Sequence, residues 1–224
     1  GAERIRVAAL DAAGLATPWN PGVDPKATDR QASWVRAICV SDGRVYLGGA
    51  FRAVGGQPRI SLAAIDADST GTLTAWNPGA LNVTQIGTGI GSIYDMETTG
   101  SLIFVAGYYT HIAGQPRNKL AVISLATGEA TAWDAHLDGE IYAIALSGSR
   151  LYLGGLFTSV GGQARNYLAA VDSGTGAVLD WNPDASLTVS AFAIADSTVY
   201  AGGFFGTIGG VPRLAVAAID ENGT

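Results

Sequence analysis

The sequence predicts an all-β fold, a β-propeller built from four-stranded antiparallel blades, and three observations predict it. One phrase recurs four times at intervals of roughly 48 to 58 residues. Apolar residues alternate with period two, and the apolar runs are bounded by Gly, Pro, Asp, Asn and Ser, which is strand and turn chemistry. The copies of the phrase are Gly48–Arg59, Ala106–Arg117, Gly154–Arg165 and Gly202–Arg213. Four short strands in such a unit match a propeller blade, whereas the coils of a β-solenoid are shorter and have fewer distinct turns.

Each arginine is followed by a short apolar strand: Leu62–Asp66, Leu120–Ser124, Leu168–Asp172 and Val216–Asp220. The N-terminus carries the same piece, Arg4 followed by Val7–Asp11. A Gly turn and a tryptophan come next, at Trp19, Trp76, Trp133 and Trp181. A further strand follows, such as Ile141–Leu146 or Val189–Ile194, and the last strand begins at Val45, Ile103, Leu151 and Val199. Glu129–Leu137 alone has a helical pattern, but its counterparts contain Trp-Asn-Pro, which a helix interior does not tolerate. The chain therefore reads as one domain, 1–224, with repeats at about 5–59, 60–117, 118–165 and 166–213 and a partial repeat at 214–224. It begins and stops inside repeats, so the expectation is about four complete blades, as a piece of a longer array or as a propeller that shares strands with a neighbour.

Composition removes several function classes. Hydrophobic residues make up 48% of the chain, enough for a core, which excludes intrinsic disorder. Only 14% of residues are charged and 31 are glycine, with no collagen period. No apolar run approaches the ~18 residues a membrane helix needs. A net charge of −6 argues against a nucleic-acid surface. The lone Cys39 can form neither an internal disulfide nor a thiolate zinc site.

The connection between tryptophan and third strand is about twice as long in the first two repeats as in the last two. Loops Asp24–Ser33 and Asn82–Ser92 are thus enlarged at one blade corner, a place where repeat proteins bind. Asp24, Lys26, Asp29, Arg30, Gln31, Asn82, Thr84 and Gln85 are the candidate partner-binding residues. The repeated Trp19, Trp76, Trp133 and Trp181, with Phe51, Tyr109, Phe157 and Phe205, read as blade-to-blade packing, with sugar stacking open to any that is exposed. Arg59, Arg117, Arg165 and Arg213 read as structural too. They would satisfy turn carbonyls or pair with an aspartate such as Asp66 as an inter-blade latch, and an anion-binding ring is the alternative. Each Gly-Gly pair serves backbone geometry rather than phosphate binding, since no helix follows.

Asp66 and Asp68 place oxygens at alternate positions as calcium loops do, but no bidentate Glu follows, and an Asx turn is the plainer reading. His111 and His136 occupy non-equivalent positions, and no nucleophile or zinc-protease motif is present. Cys39, between Ile38 and Val40, reads as a core filler. No catalytic residue and no cofactor is assigned.

The repeated residues Leu62–Asp66, Trp76–Gly79, Val45–Gly49 and Val54–Arg59 resemble the delta-60 type β-propeller repeat of bacterial secreted and cell-surface proteins. The resemblance covers essentially residues 4–224, with repeat two departing at Ala106, Tyr109 and Ser124. It implies an extracellular or cell-surface setting beside adhesion-type domains, and no catalytic residues. The Ala-Ile-Asp…Trp pattern is also similar to the tryptophan-docking repeat of quinone-dependent dehydrogenases. The spacing from Gly71 to Trp76 is one residue longer than in that pattern, which turns the ring to the other face. The expected function is a non-enzymatic interaction or adhesion module that takes a protein or glycan. The alternatives are a subunit that self-associates through incomplete terminal blades into a fibre or surface layer, and a polysaccharide hydrolase or lyase.

Overall fold

The computed structural model describes residues 4–24, 33–85 and 87–222, and among these every regular element is a β-strand. Four antiparallel sheets follow one another, each ordered inner, middle, outer. Blade 1 is Trp34–Ser41, Arg44–Ala50 and Leu62–Asp66; blade 2 is Ser92–Thr98, Leu102–Tyr108 and Leu120–Ser124. Blade 3 is Glu140–Ser147, Arg150–Leu156 and Leu168–Asp172; blade 4 is Val189–Ala195, Thr198–Gly203 and Val216–Asp220. Neighbouring blades approach most closely through their inner strands, which places these nearest the propeller axis.

In blades 1 to 3 the fourth strand is reduced to an arm held by one bridge: Ile65 to Leu73, Ile123 to Ala130 and Val171 to Val178. In blade 1 the bonds Asp66 N–H to Thr72 O and Thr74 N–H to Ala64 O bracket that bridge. The arm stops there for a physical reason. In blades 1 and 3 a proline two residues after the tryptophan has no N–H for a ladder, and in all three the tryptophan leaves the sheet to reach the next blade. The expected strand Val7–Asp11 is also absent as a strand. It repeats the outer-strand sequence, but among the described residues no middle strand pairs with it and its one bridge is Leu10 to Ala16. The sheets are offset from the sequence repeats, since the residues after each arginine give an outer strand to one blade and the inner and middle strands to the next.

The repeated turns explain much of the glycine. Gly55 and Gly56 (φ 58° and 74°) link the short strands Ala53–Val54 and Gln57–Pro58, the two left-handed residues a type I′ hairpin needs. The Gly-Gly pair of the middle strand has another cause. A Cβ on Gly49 would sit 2.0 Å from the Trp34 carbonyl oxygen, and one on Gly155 would sit 2.0 Å from that of Glu140.

The core lies between blades rather than inside any one sheet. Blade 1 offers Tyr46, Leu62, Ala64 and Trp76 to Ile93, Ile103, Val105 and Ile123 of blade 2, and equivalent layers lie between blades 2 and 3 and blades 3 and 4. Each buried tryptophan is wedged at a junction. Trp76 meets Tyr46 edge-on at 5.2 Å, Trp133 meets Phe104 at 5.7 Å, and Trp181 meets Tyr152 at 4.9 Å. The indole N–H of Trp76 donates to Ser124 O of the next blade at 3.1 Å, that of Trp19 to Asp66 O at 3.1 Å, and that of Trp181 to Asp220 O at 2.9 Å. The Trp133 indole finds no such acceptor.

The latch between blades is therefore the tryptophan and not an Arg–Asp pair, which corrects one of the two sequence expectations. The arginines do what the other proposed. Arg59 donates to Pro58 O (2.8 Å) and Thr74 O (2.6 Å), and Arg165 to Ala164 O (2.8 Å) and Leu179 O (2.9 Å). Arg117 repeats the pattern on Pro116 O and Thr131 O, and Arg213 holds Pro212 O. Each of the first three ties a hairpin to the arm of its own blade. Asp66 instead faces Arg44 on the surface at 3.9 Å.

Candidate functional site

The enlarged corner lies where the chain enters the inner strands of blades 1 and 2. Lys26, Asp29, Arg30 and Gln31 fall outside the described residues. Asp24 is not a surface ligand. It is buried, and its carboxylate accepts from the backbone N–H of Arg52 (3.1 Å) and Ala53 (2.7 Å) and from the Ser33 hydroxyl. Asp138 does the same for Thr158 and Ser159, and Ser186 for Gly206 and Thr207, so this is a recurrent turn clamp. The expected loop Asn82–Ser92 is a hairpin, Ala80–Thr84 with Gly87–Ile90, which adds to His111–Ile112 in a four-stranded sheet. Thr84 and Gln85 stand exposed at its tip, and Asn82 is half-buried.

Beside this corner each inner strand carries a β-bulge, between Val35 and Ala37, Ile93 and Asp95, Ile141 and Ala143, and Val189 and Ala191. A bulge leaves one residue unpaired and re-aims its side chain. The four residues so placed are Arg36, Tyr94, Tyr142 and Ser190. Three of them stack across the blades: the Arg36 guanidinium lies 4.7 Å from the Tyr94 ring centre, and Tyr94 lies 5.7 Å from Tyr142. The Tyr142 hydroxyl donates to Glu140 Oε2 at 2.7 Å. That bond to a carboxylate, with burial and the Glu140 charge, pushes the Tyr142 phenol up to about 12. Burial and the Glu140 charge raise Tyr94, against the pull of Arg36. The result is an aromatic shelf with a cation at one end and a carboxylate at the other.

A second repeated position hooks this corner shut. Arg6, Ser61, Lys119, Tyr167 and Ala215 all have positive φ, near 65°. Arg6 donates to Ser33 O (2.9 Å), Ser61 to Gly91 O (2.7 Å) and Lys119 to Asp138 O (3.0 Å), each reaching the approach to a following inner strand. Sequence reading missed both sets because their residue types differ from blade to blade. The available signal was a break in alternation, as in Ile141-Tyr-Ala-Ile144, where one residue too many lies between inward positions.

Deeper along the inner strand of blade 2 sit Asp95 and Glu97. Burial raises both carboxyls, and the neighbouring Asp95 charge adds to the rise of Glu97, to about 7. Asp95 accepts from Met96 N–H and, across the junction, from Ile144 N–H, each at 2.9 Å. Burial and these two acids push the Cys39 thiol to about 12, so it is a poor nucleophile. Asp66 and Asp68 do not converge. Asp68 closes its own Asx turn on Thr70 N–H (3.0 Å) and Gly71 N–H (3.1 Å), the plainer of the two sequence readings. Among the described residues no group of three metal-ligating side chains is assembled. His111, on the short strand His111–Ile112, bonds Thr110 at 3.0 Å, and His136 lies 3.5 Å from Asp134. The aromatics Phe51, Tyr109, Phe157 and Phe205 and the four tryptophans are buried, which leaves none of them as a sugar platform.

Residues 41–70 match the family model described as a domain of unknown function (DUF5122) beta-propeller. No curated protein matches. Among solved structures the chain is similar to the computationally designed Ika4 protein, at 15% identity and a TM-score of 0.51, over 87% of this chain and 94% of that one. It is also similar to the computationally designed Ika8 protein, at 16% identity and a TM-score of 0.48, over 76% of this chain and 43% of that one. The chain is a β-propeller repeat protein.

Proposed function

We propose that this propeller is a non-enzymatic recognition module that binds a glycan at the shelf Arg36–Tyr94–Tyr142–Glu140, beside the hairpin at Thr84 and Gln85. The observation that carries the reading is the bulge. Three blades spend an unpaired residue to bring a guanidinium and two phenol rings together at the axis. Aromatic faces stack on sugar C–H surfaces, while Arg36 and Glu140 supply a donor and an acceptor for hydroxyls. The exposed Trp34 lies two residues from Arg36 on the same strand and gives the site a fluorescent reporter. Likeness to delta-60 repeats supports an extracellular, cell-surface setting for such a module. The engagement of both Asp95 oxygens with backbone N–H groups favours binding over hydrolysis.

Titration with neutral and acidic oligosaccharides, followed by tryptophan fluorescence and calorimetry, tests the reading. Saturable binding that falls at least tenfold in Tyr94→Ala and in Tyr142→Ala is the expected result. Absence of binding across the panel, or binding indifferent to both substitutions, overturns it.

A further inference from the structure

The position that follows the bulged residue is alanine in three blades and aspartate in one: Ala37, Asp95, Ala143 and Ala191. The aspartate stands at the junction where the two shelf tyrosines meet. Its carboxylate spans that junction. Oδ1 accepts from Met96 N–H of its own blade and Oδ2 from Ile144 N–H of the next, each at 2.9 Å. Met96 and Ile144 are equivalent positions, each two residues past the bulged tyrosine of its strand. One side chain therefore ties the same backbone point of two successive inner strands. The methyl groups of Ala37 and Ala143 can make no such tie, and contribute apolar packing, which is non-directional.

The backbone held in this way carries both rings. Tyr94 immediately precedes Asp95, and Tyr142 lies two residues before Ile144. With the strands fixed against each other, the ring centres stand 5.7 Å apart at an interplanar angle of 39°. We infer that Asp95 is the positioning residue of the shelf, setting the spacing and tilt of Tyr94 and Tyr142 before a ligand arrives. The inference rests on the reading of the shelf as a glycan site, where a platform already in its bound geometry loses no affinity to the ordering of its rings. Only a carboxylate suits the role. Both of its oxygens accept, whereas the amide of asparagine has one acceptor oxygen and would turn its NH2 toward the second backbone N–H. Burial works against the ionised form of Asp95, and the two N–H donors and the Arg36 charge work for it.

Nuclear magnetic resonance on the whole chain tests this first without any sugar. The wild type is expected to show a cross-relaxation contact between the Tyr94 and Tyr142 rings and slow hydrogen exchange at the Ile144 amide. Asp95→Asn, nearly the same size, should keep the wild-type circular dichroism but lose the ring contact and speed the Ile144 exchange. Glu97→Gln alters the neighbouring half-buried acid, leaves both N–H bonds in place, and should change neither signal. In the oligosaccharide titration, affinity should fall about fivefold in Asp95→Asn and stay at the wild-type value in Glu97→Gln. Fast exchange at the wild-type Ile144 amide overturns the inference, and needs no variant to be seen. So does a ring contact that persists in Asp95→Asn, or a glycan that binds this variant as tightly as the wild type. A wild type that binds no sugar, with the ring contact still lost in Asp95→Asn, overturns the glycan reading and leaves Asp95 as the tie between the rings.

Discussion

The middle strands and the inner strands of this propeller follow different rules. Middle strands repeat closely, Arg44–Ala50 against Arg150–Leu156, and in blades 1 to 3 the residues at their centres are buried between blades. Inner strands keep the pairing but change the residue at each bulge, from Arg36 to Tyr94, Tyr142 and Ser190. Repeated residues thus carry the stacking of blades, and non-repeated ones occupy the positions left free by it. In a repeat protein, individuality at an otherwise regular position is the better pointer to a site.

Substitutions on the two kinds of strand sharpen this contrast. Trp76→Ala removes a ring wedged between blades and its bond to Ser124 O, and about 3–5 kcal/mol of stability is expected to go with it. Urea denaturation reads that loss, and a cost below 1 kcal/mol would put the junction elsewhere. Gly155→Ala comes next. A methyl 2.0 Å from the Glu140 carbonyl forces the bulge apart, at about 1–3 kcal/mol on the same assay, and no change would mean that the inner strand yields freely.

Glu97 has a smaller, pH-dependent effect. Its carboxyl is near 7 in the fold and 4.5 in its ordinary state, so between these values the folded protein holds more protons than the unfolded one. Stability then falls as pH rises from about 4.5 to about 7 and levels above that, by about 1 kcal/mol for a half-buried, partly screened group. Melting at pH 5 and pH 8 measures the difference, which Glu97→Gln should flatten. The smallest effect belongs to the shelf. Arg36→Ala is expected to leave stability within about 0.5 kcal/mol, since an exposed side chain is removed. Glu140→Gln should bring the Tyr142 phenol down toward its ordinary range, read from ultraviolet absorbance against pH. An unmoved titration would separate the two residues.

Sequence alone determined the outer strands Leu62–Asp66, Leu120–Ser124, Leu168–Asp172 and Val216–Asp220 to the residue, and the starts of the middle strands to within one. It did so because period-two alternation and glycine turns are local properties, read within a few residues of where they act. It also marked Trp76 and Arg59 as structural. What those residues touch was settled only by the tertiary structure, because the acceptors Ser124 O and Thr74 O lie on other elements of the fold. The same holds for the withdrawal of Asp24 into a turn clamp and for the shelf at Arg36, Tyr94 and Tyr142. A bulge is a relation between two paired strands, and a ring of bulges is a relation among blades. Period and composition describe a strand by itself, so neither relation exists until the blades have stacked.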